Sequence, residues 1–337
     1  MSYPKVSIIV PAYNAEKTIE KSIRSLMEQT FDDLELIIID DCSNDNTLNI
    51  VESVSKEYPQ RLSATKIFRV SHNQGVAAAR ALGINNATGD YTIHMDSDDY
   101  CERNMIECLY NEAVKNDADM VICDFYMNYP KKQLYISQKP PEIGKECIPF
   151  LLGGGLHSST SNKLIRRTLY TDNDINFMPS INMWEDMSTI IKLSYFASRV
   201  SYLPNAFLYY TRMNPQSYTA NIGMDSLKNM KQAVDDIENF LSQKNMDLIC
   251  KNELISFKLR VKREWLRATK GIEQRASARL YLDTDAYILS DKKNPIYYRY
   301  AQWLASKNCF LLTNILLVLI GFGKRLRGKL WGTSVSP

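Results

Sequence analysis

The first 125 residues alternate between short apolar runs and amphipathic helical segments, and this alternation restricts the fold more than any other feature of the sequence. The runs have the length of strands and are apolar at successive positions, so both faces of each strand must be covered. Single helical segments separate them, as in parallel strands joined by crossover helices. The runs are Val6–Val10, Leu34–Ile39, Thr65–Val70, Tyr91–Met95 and Met120–Cys123. We predict an α/β fold with a Rossmann-like, mostly parallel sheet covered by helices on both faces.

The alternation ends near residue 125. Residues 126–182 are interrupted by Pro, Gly and Ser and have weaker periodicity. After them we predict a helix over Glu185–Ala197, two strands near Arg199–Leu203 and Ala206–Thr211, and mostly helical structure from Met224 to about Ala305. The sequence therefore predicts a first domain in residues 1–220, with parts 1–125 and 126–220, and a mostly helical C-terminal region in residues 221–337.

Polar or turn-forming residues follow each of the first four predicted strands. In an open parallel sheet, ligands bind outside the carboxyl ends of the strands, where loops and helix N-termini converge. The segments at these ends are Pro11-Ala12-Tyr13-Asn14, Asp40-Asp41, His72-Asn73-Gln74-Gly75 and Asp96-Ser97-Asp98-Asp99. We expect them to line one acidic, hydrogen-bonding pocket at this edge of the sheet.

Asp96, Asp98 and Asp99 form the most informative group at this edge. Three carboxylates within four residues repel one another unless a positive group joins them. A divalent cation with oxygen ligands would join them and would keep coordination positions for substrate phosphates. The alternative is that Asp98 or Asp99 caps a helix beginning near Glu102. Capping accounts for one aspartate but not for three, so we expect a metal site here.

The other polar positions each have two interpretations. Asp41 can accept a hydrogen bond from a pyrimidine ring N–H, or it can cap the next helix or form an Asx turn. Asn73 can belong to a plain turn. Arg80 lies on the helix that follows, and its guanidinium suits a diphosphate and a structural carboxylate equally well. Asp186, preceded by Glu185, can stabilise the first turn of a helix. The residues alone leave these alternatives open.

Taken in order, these segments resemble the family 2 glycosyltransferases, which have the GT-A fold. The resemblance covers about residues 4–220 without a break. Each matching segment is weak evidence alone, but the ordered set is strong. The segments are Val6–Asn14, Ile39–Asp45, Asn73–Arg80, Asp96–Asp98, Asn162–Leu164, Glu185–Asp186 and Tyr209–Arg212.

The resemblance implies a donor pocket for a UDP-sugar in residues 1–125. Pro11, Tyr13 and Asp41 would line the uracil pocket, with Asp41 accepting from the ring N–H. Asp96 would hold the donor ribose or sugar. Asn73 belongs to the same donor-binding set.

The resemblance also implies the metal, the base and the acceptor. Asp98 would bind Mg²⁺ or Mn²⁺ at the donor diphosphate, and Arg80 would support the pyrophosphate or the aspartates around it. Asp186 would be the general base that takes the proton of the acceptor hydroxyl. One base opposite the diphosphate gives a single displacement and inversion at the anomeric carbon. Residues 126–220 would bind the acceptor, a glycan or lipid-linked glycan of the bacterial cell surface.

Other function classes lack their motifs or remain as alternatives. No Gly-x-Gly-x-x-Gly follows the first strand and no Gly-Lys-Ser/Thr occurs, which excludes a dinucleotide-dependent dehydrogenase and a P-loop nucleotidase. A nucleotidyltransferase with the same acidic residues and a catalytically silent nucleotide- or glycan-binding subunit stay open, and we expect no nucleic-acid partner. No histidine follows His157. A metal at Asp98 would therefore have few protein ligands and depend on donor phosphates.

The C-terminal tail has a composition of its own. From Lys292 to Pro337 there are eight Lys or Arg residues and no Asp or Glu, in a chain of net charge +3. Phe310–Phe322 is apolar but shorter than the roughly 20 residues of a spanning helix, and the segment after it is basic. Two interpretations stay open, a helix lying on an anionic membrane and a helix packed on the domain.

The spacing of the cysteines and the first residues of the sequence indicate the cellular compartment. The seven cysteines include no Cys-x-x-Cys pair, and no signal-peptide pattern precedes the first strand. We expect a cytoplasmic protein, held at the inner face of the cell membrane if the tail binds lipid.

Overall fold

The structure, a computed structural model, describes residues 4–212 and 222–331, with side chains of the last helix described as far as Gly323. The chain divides into two compact units, residues 1–215 and 216–337. The predicted domain boundary between residues 220 and 221 lies outside the described residues.

In the described residues, the first unit contains one mixed sheet of nine strands. The strands are β1 (Val6–Ala12), β2 (Leu34–Asp40), β3 (Thr65–Arg69), β4 (Tyr91–His94), β5 (Tyr100–Cys101), β6 (Met120–Tyr129), β7 (Lys132–Ile136), β8 (Lys163–Arg166) and β9 (Val200–Thr211). Their order is β3-β2-β1-β4-β8-β6-β9-β5, and β7 pairs with β6 at the side of this path.

The strands predicted from the alternation form one parallel block. β3, β2, β1 and β4 are parallel neighbours, so their carboxyl ends lie at one edge of the sheet. Every residue of β1, β2 and β4 is buried, which explains why these strands are apolar at successive positions. The expected α/β architecture is therefore observed, with the strand-end segments on a common edge.

The remaining strands make the sheet mixed. β8 is antiparallel to both β4 and β6, whereas β6 and β9 are parallel to each other. The two strands expected near residues 199–211 are one strand, β9, whose register shifts opposite Cys123–Phe125. Pro204 lies in the skipped part of β9, where a residue without an N–H is tolerated. The end of β9 is thereby brought beside the segment that follows β4.

Helices cover both faces of the sheet in the first unit. They are α1 (Ile19–Met27), α2 (Thr47–Lys56), α3 (Pro59–Leu62), α4 (Val76–Asn86), α5 (Met105–Lys115), α6 (Gly144–Gly153), α7 (Thr168–Thr171) and α8 (Glu185–Phe196). Ile19, Ile23 and Leu26 of α1 pack with Ile8 in the main core, and α5 packs on the same face. On the opposite face α4 lies so close to β1 that a Cβ at Gly83 would be 2.2 Å from the Ile9 side chain.

The second unit is helical in its described residues. The elements are α9 (Met224–Gln243), α10 (Lys251–Ala268), α11 (Gly271–Ala278), a 3₁₀-helix (Leu282–Tyr287), α12 (Ile296–Ser306) and α13 (Phe310–Trp331). Leu316 and Leu317 of α13 pack on a small core that contains Leu266 and Ala301. None of the described helices combines the length and apolarity that crossing a bilayer requires.

Candidate active site

Asp41 ties the end of β2 to the turn that begins α4. Its Oδ1 and Oδ2 accept hydrogen bonds from the backbone N–H groups of Gln74 and Gly75, each at 2.8 Å. The Asn73 side chain donates to the Asp41 backbone oxygen at 3.3 Å. Each carboxylate oxygen retains a second lone pair that a ligand could use. Of the neighbouring predicted residues, Pro11 is buried at the end of β1 and Tyr13 is 47% exposed.

The Asx turn in this loop is formed by Asp45, whose Oδ1 accepts a hydrogen bond from the backbone N–H of Thr47, two residues on, at 3.0 Å. Oδ1 of Asp40 accepts a hydrogen bond from the backbone N–H of Ser43 at 3.2 Å. Oδ2 of Asp40 has no hydrogen-bond partner among the described residues and lies 3.4 Å from Nε of Arg69. The helix-capping alternative for Asp40 and Asp41 is wrong, because α2 begins at Thr47 and its N-cap position is Asn46.

Asp98 and Asp99 lie in the loop after β4 and do not cap a helix. The capping alternative is wrong because β5 follows this loop and α5 begins only at Met105. Oδ1 of Asp99 accepts a hydrogen bond from the backbone N–H of Thr211 at 2.7 Å. Its buried Oδ2 has no hydrogen-bond partner among the described residues. Burial, followed by repulsion from Asp96, raises the pKa of Asp98 to about 6 and that of Asp99 well above its usual range.

These carboxylates have the chemistry of a cation site that is completed by a ligand. Hard oxygen donors suit Mg²⁺ and Mn²⁺, and the raised pKa values and unpaired Asp99 oxygen mark a local excess of negative charge. Within residues 4–212 and 222–331, however, no group of three or more His, Cys, Asp or Glu side chains is placed to hold a metal ion. The residues therefore fit a cation that takes several of its ligands from the phosphates of a bound nucleotide.

Arg80 lies between the acidic loop and the start of α8. Its Nη2 donates to Oδ1 of Asp96 at 2.7 Å, and its Nη1 donates to Oε1 of Glu185. Arg80 and Glu185 are both buried, and Asp96 is half-buried. Burial raises the pKa of Glu185 above its usual range, and the charge of Arg80 opposes this effect. The sequence named Glu185 only as part of a helix start, and no sequence pattern indicated its contact with Arg80, 105 residues away.

Asp186 is half-buried in the first turn of α8. Its Oδ2 accepts a hydrogen bond from the Ser158 hydroxyl at 3.1 Å, and its Oδ1 accepts one from the backbone N–H of Met187 at 2.6 Å. Asp186 therefore does stabilise the first helical turn. Each of its oxygens still has acceptor capacity for a substrate hydroxyl.

Lys163 organises the loop that supplies Ser158. Its Nζ donates to the backbone oxygens of His157 and Ser159, each at 2.7 Å, and to Oδ1 of Asn162 at 2.8 Å. The residue is fully buried, and burial lowers its pKa to about 8. The Asn162–Leu164 segment matched the family in the sequence analysis but received no role there. In the structure its Lys163 holds the loop whose Ser158 contacts Asp186.

Residues 7–173 match the protein family described as glycosyl transferase family 2. The cholesterol galactosyltransferase of Borreliella burgdorferi is 29% identical to this chain, and the alignment covers 96% of this chain and 94% of that protein. The uncharacterized glycosyltransferase EpsJ of Bacillus subtilis is 32% identical, and the alignment covers 64% of this chain and 63% of that protein. The fold is similar to Staphylococcus aureus TarS 1–349 in complex with UDP-GlcNAc, with a TM-score of 0.69 and 22% identity over 89% and 88% of the two chains. The chain carries a family 2 glycosyltransferase domain.

The class predicted from the ordered motifs is thereby confirmed, and the nucleotidyltransferase alternative is not favoured. The fold of the glycosyltransferase is the GT-A fold that the resemblance implied. Glycosyltransferases with this fold commonly use a divalent metal, in agreement with the charge excess at Asp98 and Asp99.

The glycosyltransferase also brings the end of β9 to the acidic loop. The rings of Phe125, His157 and Tyr210 contact one another with centroids 5.1 to 6.1 Å apart. The Arg212 guanidinium lies 5.1 Å from the Tyr210 ring, and its charge lowers the pKa values of Asp98 and Asp99 against the larger effect of burial. The sequence matched Tyr210 and Arg212 to the family but assigned them no role.

The neutral state of His157 follows from its surroundings. Burial, assisted by the charge of Lys163, lowers the pKa of His157 to about 3. Its Nδ1 lies 3.1 Å from the backbone N–H of Ser159 and accepts that hydrogen bond. His157 is therefore an uncharged part of the aromatic wall beside Tyr210.

Proposed function

We propose that the glycosyltransferase moves a sugar from a UDP-sugar to the hydroxyl of a glycan or lipid-linked acceptor, with inversion at the anomeric carbon. The observation that carries this proposal is the acidic loop after β4, where Asp98 and Asp99 are repelled by Asp96 and the buried Oδ2 of Asp99 has no hydrogen-bond partner among the described residues. This loop is joined through Arg80 to the helix turn that carries Asp186. Arg80 thus connects the loop proposed to bind the cation and donor to the helix turn that carries the proposed base.

The donor is proposed to be a UDP-sugar held at the ends of β1, β2 and β4. Pro11, Tyr13 and Asp41 would surround the uracil, with Asp41 using its remaining lone pairs. Asn73 supports Asp41 from the adjoining turn, and Asp96 would hold the ribose or sugar. The similarity to TarS in complex with UDP-GlcNAc supports a uridine nucleotide.

Asp98 is the proposed ligand of Mn²⁺ or Mg²⁺. When bound, such a cation would stabilise the negative charge that the leaving diphosphate gains. Arg80 holds Asp96 by an ion pair, and Arg212 adds positive charge near Asp98 and Asp99. These residues would orient the acidic loop toward the nucleotide.

Asp186 is the proposed general base. The acceptor oxygen forms a bond to the anomeric carbon, the bond from that carbon to the diphosphate oxygen breaks, and a carboxylate oxygen of Asp186 receives the hydroxyl proton. The hydrogen bonds from Ser158 and Met187 fix the carboxylate before the acceptor arrives. A fixed base avoids the entropic cost of ordering it during the reaction.

The acceptor is proposed to bind residues 126–220 and to be presented at a membrane. The relative that aligns over 96% of the chain is named for transfer to cholesterol, which supports a lipid or lipid-linked acceptor. Exposed apolar residues on α13 recur at helical spacing, on the side opposite the buried Thr313. They are Leu311, Leu312, Ile315, Val318, Leu319 and Phe322, between 50% and 76% exposed.

This exposed apolar stripe precedes a segment rich in basic residues. Lys324, Arg325, Arg327 and Lys329 follow Phe322 in sequence, and their side chains lie outside the described part of α13. An apolar stripe next to basic residues fits a helix that lies in the surface of an anionic bilayer. We therefore propose peripheral attachment at the inner face of the cell membrane.

Turnover of UDP-sugars tests the proposed reaction. A panel of UDP-sugars is incubated with Mn²⁺ and lipid-extract acceptors, and UDP release and acceptor modification are measured. We expect one or a few donors to be used, and Asp186→Asn to abolish transfer while UDP binding is nearly unchanged. If UDP binding falls with transfer, Asp186 belongs to the donor site or to the fold. If wild-type protein binds UDP without turnover, the silent-subunit alternative is correct.

Binding to vesicles tests the proposed attachment. Wild-type protein should sediment with vesicles of anionic lipid, and removing residues 309–337 should release it. A triple variant, Leu311→Ser, Val318→Ser and Phe322→Ser, should also release it, because these side chains are exposed and their loss spares the core. The matched control replaces Leu248 and Ile249, which are exposed elsewhere, by Ser and should still bind. Binding unchanged by the truncation or by the triple variant would refute the attachment.

A further inference from the structure

Two contacts hold α4 against the segment that leads into α8. Near the start of α4, the backbone N–H of Ala77 donates to Oδ1 of Asn182 at 3.1 Å. One turn later Arg80 donates to Glu185. Residues 182 and 185 are therefore attached to successive turns of one helix, and the backbone between them has little freedom to move.

The packing at these contacts is close. A Cβ at Gly75 would lie 2.3 Å from the Asn182 side chain, and the φ of Gly75 is 90°. Trp184, between the two contact residues, has a φ of 66°, a conformation that is unfavourable for a bulky residue. Such backbone conformations persist where surrounding contacts enforce them, and they are frequent at functional sites. The segment is thus held in one conformation immediately before Asp186.

The same guanidinium that binds Glu185 also binds Asp96. Arg80 is 5% exposed and bonds one carboxylate through each terminal nitrogen. A buried ion pair is seldom the most stable way to fill such a space, since apolar residues of similar size avoid the loss of hydration. A buried arginine shared by two carboxylates therefore indicates a requirement beyond stability.

We propose that Glu185 is a positioning residue for glycosyl transfer. Through Arg80, it keeps Asp96, on the donor side of the site, at a fixed distance from the base Asp186. Glu185 adjoins Asp186 in the chain, and Arg80 reaches Asp96 across the site. Displacement of Glu185 would change the separation between the bound donor and the base. The proposal rests on the proposed function, since it assigns Asp96 to the donor and Asp186 to proton transfer.

The variant Glu185→Gln tests this role, because the amide keeps the shape of the side chain and loses its charge. We expect kcat for transfer to fall about 10- to 100-fold, since small misplacements of reacting groups have effects of this size. The KM for the UDP-sugar and the affinity for UDP should change less than about threefold. Glu185→Asp, which restores the charge with a shorter reach, should recover part of kcat. Because Glu185→Gln removes one partner of a buried ion pair, the midpoint of thermal unfolding should fall, so kcat is measured on folded protein well below that midpoint.

Glu35→Gln is the matched control. Glu35 is buried at the start of β2, away from the carboxyl ends of the strands, and forms an ion pair with Lys66 at 2.7 Å. This variant should keep the wild-type kcat even if it is less stable. A kcat for Glu185→Gln equal to wild type, or a loss of kcat explained by unfolding or weaker UDP binding, would overturn the positioning role. Absence of turnover by wild-type protein would instead refute the proposed function.

Discussion

Two pairs of aspartates follow strands on either side of β1, and the protein surrounds them in opposite ways. After β2, Asp41 accepts backbone hydrogen bonds at both oxygens, and Asp40 bonds Ser43 and faces Arg69. After β4, the half-buried Asp98 and the buried Asp99 lie in one loop, and burial, followed by repulsion from Asp96, raises the pKa values of both.

The comparison distinguishes carboxylates that accept hydrogen bonds from backbone N–H groups at the ends of turns from carboxylates whose charge is less well compensated by the described residues. A carboxylate that accepts backbone N–H groups stabilises its turn through charge-assisted bonds. A buried carboxylate near others of its kind lowers stability, and such residues are concentrated at functional sites. We therefore expect substitutions in the two pairs to have opposite effects on stability and unequal effects on transfer.

The largest effect is expected from Asp98→Asn. Loss of the proposed metal ligand should lower kcat/KM for transfer about 1,000-fold, or about 4 kcal/mol at 1.36 kcal/mol for each tenfold change. The free energy of unfolding should stay unchanged or rise, because repulsion from Asp96 is relieved. Steady-state kinetics at saturating Mn²⁺ and urea denaturation measure the two quantities. Activity within tenfold of wild type would remove Asp98 from the metal site.

A smaller effect, on stability, is expected from Asp41→Asn. An amide offers one acceptor oxygen, so one of the two backbone N–H groups of Gln74 and Gly75 would face an NH₂ group. The free energy of unfolding should fall by about 2 kcal/mol, as for other lost hydrogen bonds to charged groups. Urea denaturation measures it, and the exposed Asp33→Asn is the control. Unchanged stability would mean that Asp41 does not support the turn.

The smallest expected effect is on the pH dependence of the free energy of unfolding, measured in the presence of a metal chelator. The pKa of Asp98 is raised from 3.8 to about 6 in the folded state. Between about pH 4 and pH 6 the folded state binds more protons than the unfolded state, so stability should fall as the pH rises through this range. We expect a decrease of about 1–2 kcal/mol after allowance for partial exposure.

Comparison with Asp98→Asn isolates this contribution, since other carboxylates titrate in the same range. The decrease between pH 4 and pH 6 should be smaller in the variant than in wild-type protein. Equal pH profiles would show that Asp98 is not destabilised by its surroundings.

The parallel part of the fold could be predicted because its residues are local and periodic. The buried strands β1, β2 and β4, the partly exposed β3 and the helices α1, α2, α5 and α8 are each indicated by the spacing of apolar residues. β7 and β5 could not be predicted, because β7 is mostly exposed and β5 has only two residues. Neither gives a pattern that distinguishes a strand from a loop.

The sequence proposes residues for the candidate site but does not give their contacts. Motif order singled out Asp41, Arg80, Asp98 and Asp186 as candidates. It could not show that Arg80 bonds Glu185, 105 residues away, because periodicity reports which face of an element is buried and not which side chain lies opposite. The same limit applies to the contact of Ser158 with Asp186.

The most direct test of the central claim is a crystal of the protein soaked with UDP and Mn²⁺. We predict an anomalous peak for manganese against the Asp98 carboxylate and in contact with the UDP phosphates, at the carboxyl end of β4. UDP bound away from this edge of the sheet, or UDP bound there with no ion near Asp98, would contradict the account.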